Sequence, residues 1–162
     1  MPTKSVISNN SPLVALWKLD LLSLLRDLYT EVWIPREVEK EFLAVKKEAR
    51  QEALNRAFWI KVVDLKDQES GLSYERLDPG ETAVFALAEE QETQFVIIDE
   101  KKARTEAKEI GLSFKGTVGV LLEAKEKGLI DGIKPLLIVL QEKGIYLDES
   151  LIAYALREAG EM

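Results

Sequence analysis

The chain contains neither Cys nor His. Ser-His-Asp triads, thiolate nucleophiles, imidazole bases and thiolate or imidazole metal sites are excluded together. Chemistry must run on carboxylates, hydroxyls, amides, Lys and Arg. A bound metal should be a hard cation with oxygen ligands, Mg2+ or Mn2+ before Zn2+. Three acids stand out by position. Asp99 directly follows the apolar run Phe95-Val96-Ile97-Ile98, with Glu100 after it. A carboxylate there lies at the active edge of a sheet, or it caps the next helix. Glu81 belongs to Asp78-Pro79-Gly80-Glu81, close to a capping box with Pro at N1. Capping accounts for that pair by itself, yet the first turn of such a helix also points at the same edge. Glu41 closes Glu37-Val38-Glu39-Lys40-Glu41. Val38 and Phe42, at i and i+4, should face the core, so Glu41 flanks the buried stripe. Three glutamates in five residues also describe a solvated face. A second polar strand end is Ser8-Asn9-Asn10, after Val6-Ile7.

Carboxylates held close together repel unless a cation sits between them. With Mg2+ or Mn2+, a His-free acidic cluster can polarise a phosphodiester and activate water. Basic residues could assist. Lys101, Lys102, Arg104 and Lys108 follow Asp99 on one helix, as phosphate contacts or as a solvated face, and Arg36 and Lys115 lie near strand ends. Trp17, Trp33 and Trp59 could stack bases but lie in or beside apolar elements, which favours core or subunit contacts. Gly116-Thr117-Val118-Gly119 lacks the Lys and Gly spacing of a P-loop and reads as a tight strand-to-helix turn with a Thr cap.

The elements that must position these residues alternate short apolar runs with helical patterns, the signature of βαβ units and a parallel sheet. Strands are expected at 5–8, 31–34, 59–65, 95–98 and 113–115. Ser11-Pro12 should open the first helix, with Ser11 as N-cap, and Asp20 should cap the second, 21–29. Further helices are expected from Pro35, with a break, to Ala57, then at 78–91, 101–110, 117–128, 135–143 and 148–159, and a polar loop at 66–76. The fold class is α/β, a three-layer α/β/α sandwich around a parallel sheet of four or five strands, as a single domain over residues 1–162. In such sheets ligands bind beyond the carboxyl ends of the strands, near the switch in strand order.

Composition narrows the partners. The chain has 162 residues, 22 Lys+Arg against 29 Asp+Glu, and a net charge of −7. That excludes a large uniformly basic surface, though not a local basic patch. Hydrophobic residues make up 46%, which suits a packed core. No apolar run approaches the roughly 18–20 residues of a membrane span. Met1-Pro2-Thr3-Lys4 leads straight into a strand, so no signal peptide and a cytoplasmic protein are expected.

Five segments in order carry a resemblance. They are Ser8-Asn9-Asn10-Ser11-Pro12-Leu13-Val14-Ala15-Leu16; Val32-Trp33-Ile34-Pro35-Arg36-Glu37-Val38 through Glu41; Leu77-Asp78-Pro79-Gly80-Glu81; Val96-Ile97-Ile98-Asp99-Glu100-Lys101-Lys102-Ala103-Arg104; and Lys115-Gly116-Thr117-Val118-Gly119-Val120-Leu121. Together the chain resembles PIN-domain-like proteins, in the branch related to toxin ribonucleases of the VapC type. The resemblance implies a Rossmann-like fold and a metal-dependent endoribonuclease, the toxin of a toxin–antitoxin pair. It implies catalytic roles for Glu41, Glu81 and Asp99, and Mg2+ or Mn2+ held by Asn9, Glu41, Glu81 and Asp99, supplemented by Glu100. Ser11 falls near a hydroxyl position of such sites, and Ser11, Arg36, Lys101, Lys102 and Arg104 would contact RNA. The implied partners are RNA, a cognate antitoxin and a second copy of the chain, with the apolar stretch Leu151, Ile152, Tyr154, Ala155, Leu156 as an interface. The departure is Asn9, where the family carries Asp. Asn keeps one oxygen ligand, removes a negative charge and cannot act as a base. A weakened module that binds RNA or a protein partner is therefore the alternative. A generic Rossmann-like phosphatase or nucleotide binder lacks any nucleotide fingerprint here.

Overall fold

The computed structural model describes residues 5–67 and 77–162. Most of the loop expected at 66–76 lies outside the described residues. Five strands form one parallel sheet: β1 (Val6–Ser8), β2 (Val32–Pro35), β3 (Ile60–Val63), β4 (Phe95–Ile97) and β5 (Phe114–Lys115). Nine helices flank it among the described residues: α1 (Asn10–Lys18), α2 (Ser23–Tyr29), α3 (Arg36–Leu43), α4 (Lys47–Arg56), α5 (Pro79–Glu90), α6 (Lys101–Glu109), α7 (Thr117–Glu126), α8 (Lys134–Glu142) and α9 (Glu149–Ala159). The result is the α/β/α sandwich that the alternating pattern predicts. Among these residues no helix is long and apolar enough to cross a membrane.

The strand order is β3-β2-β1-β4-β5. The chain moves outward from β1 to β3, then returns to place β4 against the other side of β1. The switch in direction therefore falls between β1 and β4, whose register pairs Ser8 with Ile97. Beyond this pair the strands diverge into helices, which opens a crevice at their carboxyl ends. Both central strands are buried along their length. They carry apolar residues on both faces because helices cover both. Ile7, Leu13, Leu16, Ile34, Val38, Phe42, Val84, Phe85, Ile97, Leu121, Leu137 and Leu140 belong to one contiguous core. Burying each such side chain contributes roughly 1.5–3 kcal/mol, which fixes how the helix N-termini approach the crevice.

Three helix starts differ from the sequence expectation. α1 begins at Asn10 with Asn9 as its N-cap, not at Ser11. Asn9 is still tied to the sheet, its N–H donating to the Ile97 carbonyl at 2.9 Å, so it is the single residue between strand and helix. Pro12 then sits at the third helical position, where its missing N–H costs nothing. Asp20 does not cap α2, whose N-cap is Leu22. Asp20 instead ends α1 in the left-handed region (φ 57°), with the paired bonds Leu21 N–H to Leu16 O and Asp20 N–H to Trp17 O of a helix C-terminal turn. At α7 the cap is Gly116, and Thr117 is the first helical residue. The helical stretch after Pro35 breaks at Lys46, which is also left-handed (φ 49°). The capping box Asp78–Glu81 forms in full.

Candidate functional site

Asn9 and Asp99 follow the neighbouring strands β1 and β4, while Glu41 and Glu81 come together at the start of α5. Asn9 follows β1 and is 3% exposed. Its backbone is held by Ile97, but its side-chain Oδ1 is buried without a hydrogen-bond partner, and so is Oδ1 of Asn10. A buried carbonyl oxygen left unpaired is unfavourable, and it asks for a donor or a cation.

Glu41 is delivered by α3 one and a half turns after the end of β2, because Val38 and Phe42 are fully buried on the adjoining stripe. Its carboxylate rests on the N-terminus of α5, accepting from the Gly80 N–H. Gly80 leaves room for the carboxylate in this position. A Cβ at that position would overlap Glu41 Oε1. Burial raises the Glu41 pKa above the ordinary carboxylate value, and the charges of Asp78 and Glu81 raise it further, against the Gly80 amide. Glu81, 5% exposed, accepts from the Asp78 N–H at 3.1 Å while its own N–H donates to Asp78 Oδ1 at 2.7 Å. Burial raises its pKa as well, against the hydrogen bond from the Asp78 N–H, with the charges of Asp78 and Glu100 adding to the rise and Lys102 opposing it. Glu41 and Glu81 are thus partly desolvated acids that feel the charge of exposed Asp78, with Glu100 within electrostatic reach of Glu81.

Asp99 is held differently. Its Oδ1 accepts from the Thr117 N–H at 2.8 Å and its Oδ2 from the Thr117 hydroxyl at 2.6 Å. Arg104 places Nη2 3.9 Å from Asp99 Oδ1, donates from Nε to the Ile98 carbonyl at 3.2 Å, and lies over the Phe114 ring. A Cβ on Gly116 would overlap Arg104 Nη2 and come within 2.8 Å of Asp99 Oδ1. Two glycines at two helix starts therefore leave room for two charged groups. Both acids also profit from a helix N-terminus, where free N–H groups and the helix dipole favour an anion.

Among the other expected contacts, the Ser11 hydroxyl donates to Glu100 Oε1 at 3.4 Å, tying α1 to the start of α6. Lys101 and Arg104 border a cavity of about 900 Å³ that also touches Ser11, Asp99, Glu100 and Thr117. Lys102 faces the Glu81 side, and Arg36 points to the β3 end, paired with Asp64 and Glu39. Trp59 is core, its indole N–H donating to the Leu22 carbonyl. Sequence reasoning missed the role of Thr117, Gly80 and Gly116 as the cradles of the acids. The signal available was a Gly in the first turn of α5, where Ala is the better helix former.

The donor set fits a hard divalent ion: oxygens only, two carboxylates with raised proton affinity, and an unpartnered buried Asn9 oxygen. Among the described residues no three acidic side chains are grouped closely enough to hold an ion by themselves. The family DUF3368, described as PIN domain, matches residues 5–161 of the chain. No curated protein matches it significantly.

Proposed function

The chain belongs to the PIN-domain family, and from that premise we propose that it is a metal-dependent endoribonuclease, acting as the toxin of a toxin–antitoxin pair. A nuclease-type fold and an RNA-related role come with the family, as does the general use of divalent metal ions. The observation that carries the reading is the buried, unpartnered Asn9 Oδ1 at the end of β1, next to the strand that ends in Asp99. Asn9, Glu41, Glu81, Asp99 and Glu100 are the residues that would hold Mg2+ or Mn2+. When bound, such an ion polarises the phosphodiester and lowers the pKa of water. The chain's own groups do the rest. Glu41, its proton affinity raised by burial, is suited to take the proton of the attacking water. Thr117 orients Asp99 through both oxygens. Arg104, fixed by Ile98 and Phe114, offers its outer nitrogen to a phosphate oxygen.

Asn9 favours a second reading, a weakened module that binds RNA or a protein partner. Measuring RNA cleavage with Mn2+ for wild type, Asn9→Asp and Asp99→Asn separates the two. An active nuclease cleaves as wild type and loses at least about 100-fold with Asp99→Asn, as removal of a catalytic acid does. A weakened module cleaves little until Asn9→Asp restores a carboxylate. Robust cleavage that survives Asp99→Asn sinks both. A small acidic antitoxin encoded in the neighbouring reading frame would support the toxin role.

A further inference from the structure

The acids of the candidate site differ in how their charge is met. Glu41 and Glu81 lie beside other carboxylates, which burial and repulsion make unfavourable as anions. Asp99 is provided for from within the chain. Thr117 donates to both of its oxygens, and Arg104 Nη2 stands 3.9 Å from Oδ1. That separation is too long for a direct hydrogen bond, so Arg104 acts on Asp99 as a charge. The place of this charge is built. Side chains on a helix lean toward its N-terminus, so Arg104, one turn into α6, falls back over the end of β4. Its Nε donates to the Ile98 carbonyl at 3.2 Å, and its guanidinium lies 5.6 Å from the centre of the Phe114 ring. Gly116 completes the pocket, since a Cβ there would overlap Nη2. Asn9, on the neighbouring strand end, is neutral. Asn9, Asp99 and Arg104 therefore sum to no net charge, and a cation drawn to Asp99 meets one already there.

We infer that Arg104 is a resident counter-ion of Asp99, an autoinhibitory contact that lowers the affinity of the site for a divalent cation while the guanidinium stays in place. The inference rests on the nuclease reading for the identity of the cation and adds a control on that same site. The contact is poised to release. The Arg104 side chain is 33% exposed, and among the described residues it donates one hydrogen bond, from Nε. Its outer nitrogens are left for a stronger acceptor. A phosphate oxygen takes them in charge-assisted bonds, and in doing so draws the charge off Asp99. A group that only braced the fold would gain nothing from standing beside a carboxylate that Thr117 already satisfies.

The test is titration of the whole chain with Mn2+ at neutral pH and low salt, without RNA, reading the free ion by its paramagnetic resonance signal. The variants are Arg104→Gln and Arg104→Met, which remove the charge, and Arg104→Lys, which keeps it. Met preserves the apolar stem over Phe114 and serves where Gln impairs folding; melting scans in EDTA identify the folded variants. The expected result is Mn2+ binding about tenfold tighter for Arg104→Gln and Arg104→Met than for wild type, the low end of the effect of an Arg on a neighbouring carboxylate. Arg104→Lys should bind as wild type does. High salt should shrink the gain, because it screens the charge that is removed. Binding by Arg104→Gln and Arg104→Met with none by wild type also supports the proposal. Three outcomes overturn it. Equal, measurable binding by wild type and the uncharged variants retires the counter-ion alone and leaves the nuclease reading standing. Tightening by Arg104→Lys as large as by Arg104→Gln assigns the effect to packing and not to charge. Absence of Mn2+ binding by wild type and every variant retires the counter-ion and the metal-dependent reading together.

Discussion

Glu41 and Glu161 use the same device with opposite electrostatic results. Each lays a carboxylate on a helix N-terminus beside a glycine: Glu41 on α5 at Gly80, Glu161 on α8 beside Gly132. Glu161 accepts from the Ile133 N–H at 2.8 Å, the Lys134 N–H at 3.0 Å and Lys125 Nζ at 2.9 Å. Those backbone bonds and the Lys125 charge pull its pKa down to about 2. Among the described residues Glu41 has the amide but no cation beside it. Burial and two neighbouring carboxylates push its pKa up. The difference separates a latch from a site. Glu161 is complete as it stands and ties the chain's end to α8. The raised proton affinity of Glu41 is what the proposed metal-binding or proton-accepting role calls for.

The largest expected effect is at the latch. Glu161→Gln keeps the side chain's shape but removes the charge from three bonds, and should lower stability by about 1–2 kcal/mol, the scale of charge-assisted hydrogen bonds. Gly132→Ala should act in the same direction, since its Cβ would come within 2.9 Å of Glu161 Oε1. Urea or thermal unfolding of both variants checks this. Wild-type stability in both would mean that the α8 contact contributes nothing, and the comparison would lose one side.

That latch was not legible in the sequence, and the reason is general. Glu161 and Ile133 are distant in sequence, and no spacing rule connects them. The sheet was legible, because four-residue apolar runs such as Phe95–Ile98 can be covered only in a central strand, and so was the Asp78–Glu81 box, which is a local pattern. Glu41 could be placed from Val38 and Phe42, whose burial sets the helix face. Ser11 and Asp20 misled for the same reason: each fits a local capping rule, while strand β1 and the closing turn of α1 had already assigned the cap to Asn9 and a left-handed turn to Asp20. The pairing of Asp99 with Thr117 across 18 residues depends on tertiary contacts alone.

The next effect is smaller and of opposite sign. Glu41→Gln keeps an acceptor for the Gly80 N–H and removes one charge from the acid cluster. At neutral pH without metal it should stabilise the protein, raising the Tm by roughly 2–4 °C, the equivalent of about 1 kcal/mol at this chain length. The same variant should lose Mn2+-dependent RNA cleavage. A melting scan and one cleavage assay check both halves. A Tm that falls would show that Glu41 is held as a structural anion, like Glu161.

The smallest and sharpest effect is in the pH dependence. A carboxyl whose folded pKa lies above its unfolded value binds protons more strongly when folded, so its contribution to stability is present at low pH and declines as pH rises through that window. Glu41 and Glu81 should therefore add stability as pH falls from 7 toward 5. Glu161 behaves in reverse. Its folded pKa of about 2 lies below the unfolded 4.5, so its stabilisation is intact above pH 4.5 and lost as pH falls from there toward 2. Urea midpoints at pH 7, 6 and 5 should rise for wild type relative to Glu41→Gln, while the difference between wild type and Glu161→Gln stays constant over that range. Millimolar Mn2+ should flatten the first trend, because a cation bound to the folded state favours the ionised acids. It should leave the second untouched. If the wild-type minus Glu41→Gln difference is flat from pH 7 to 5 and indifferent to Mn2+, then Glu41 carries no unmet charge, and the contrast between site and latch fails at the point where it makes a functional claim.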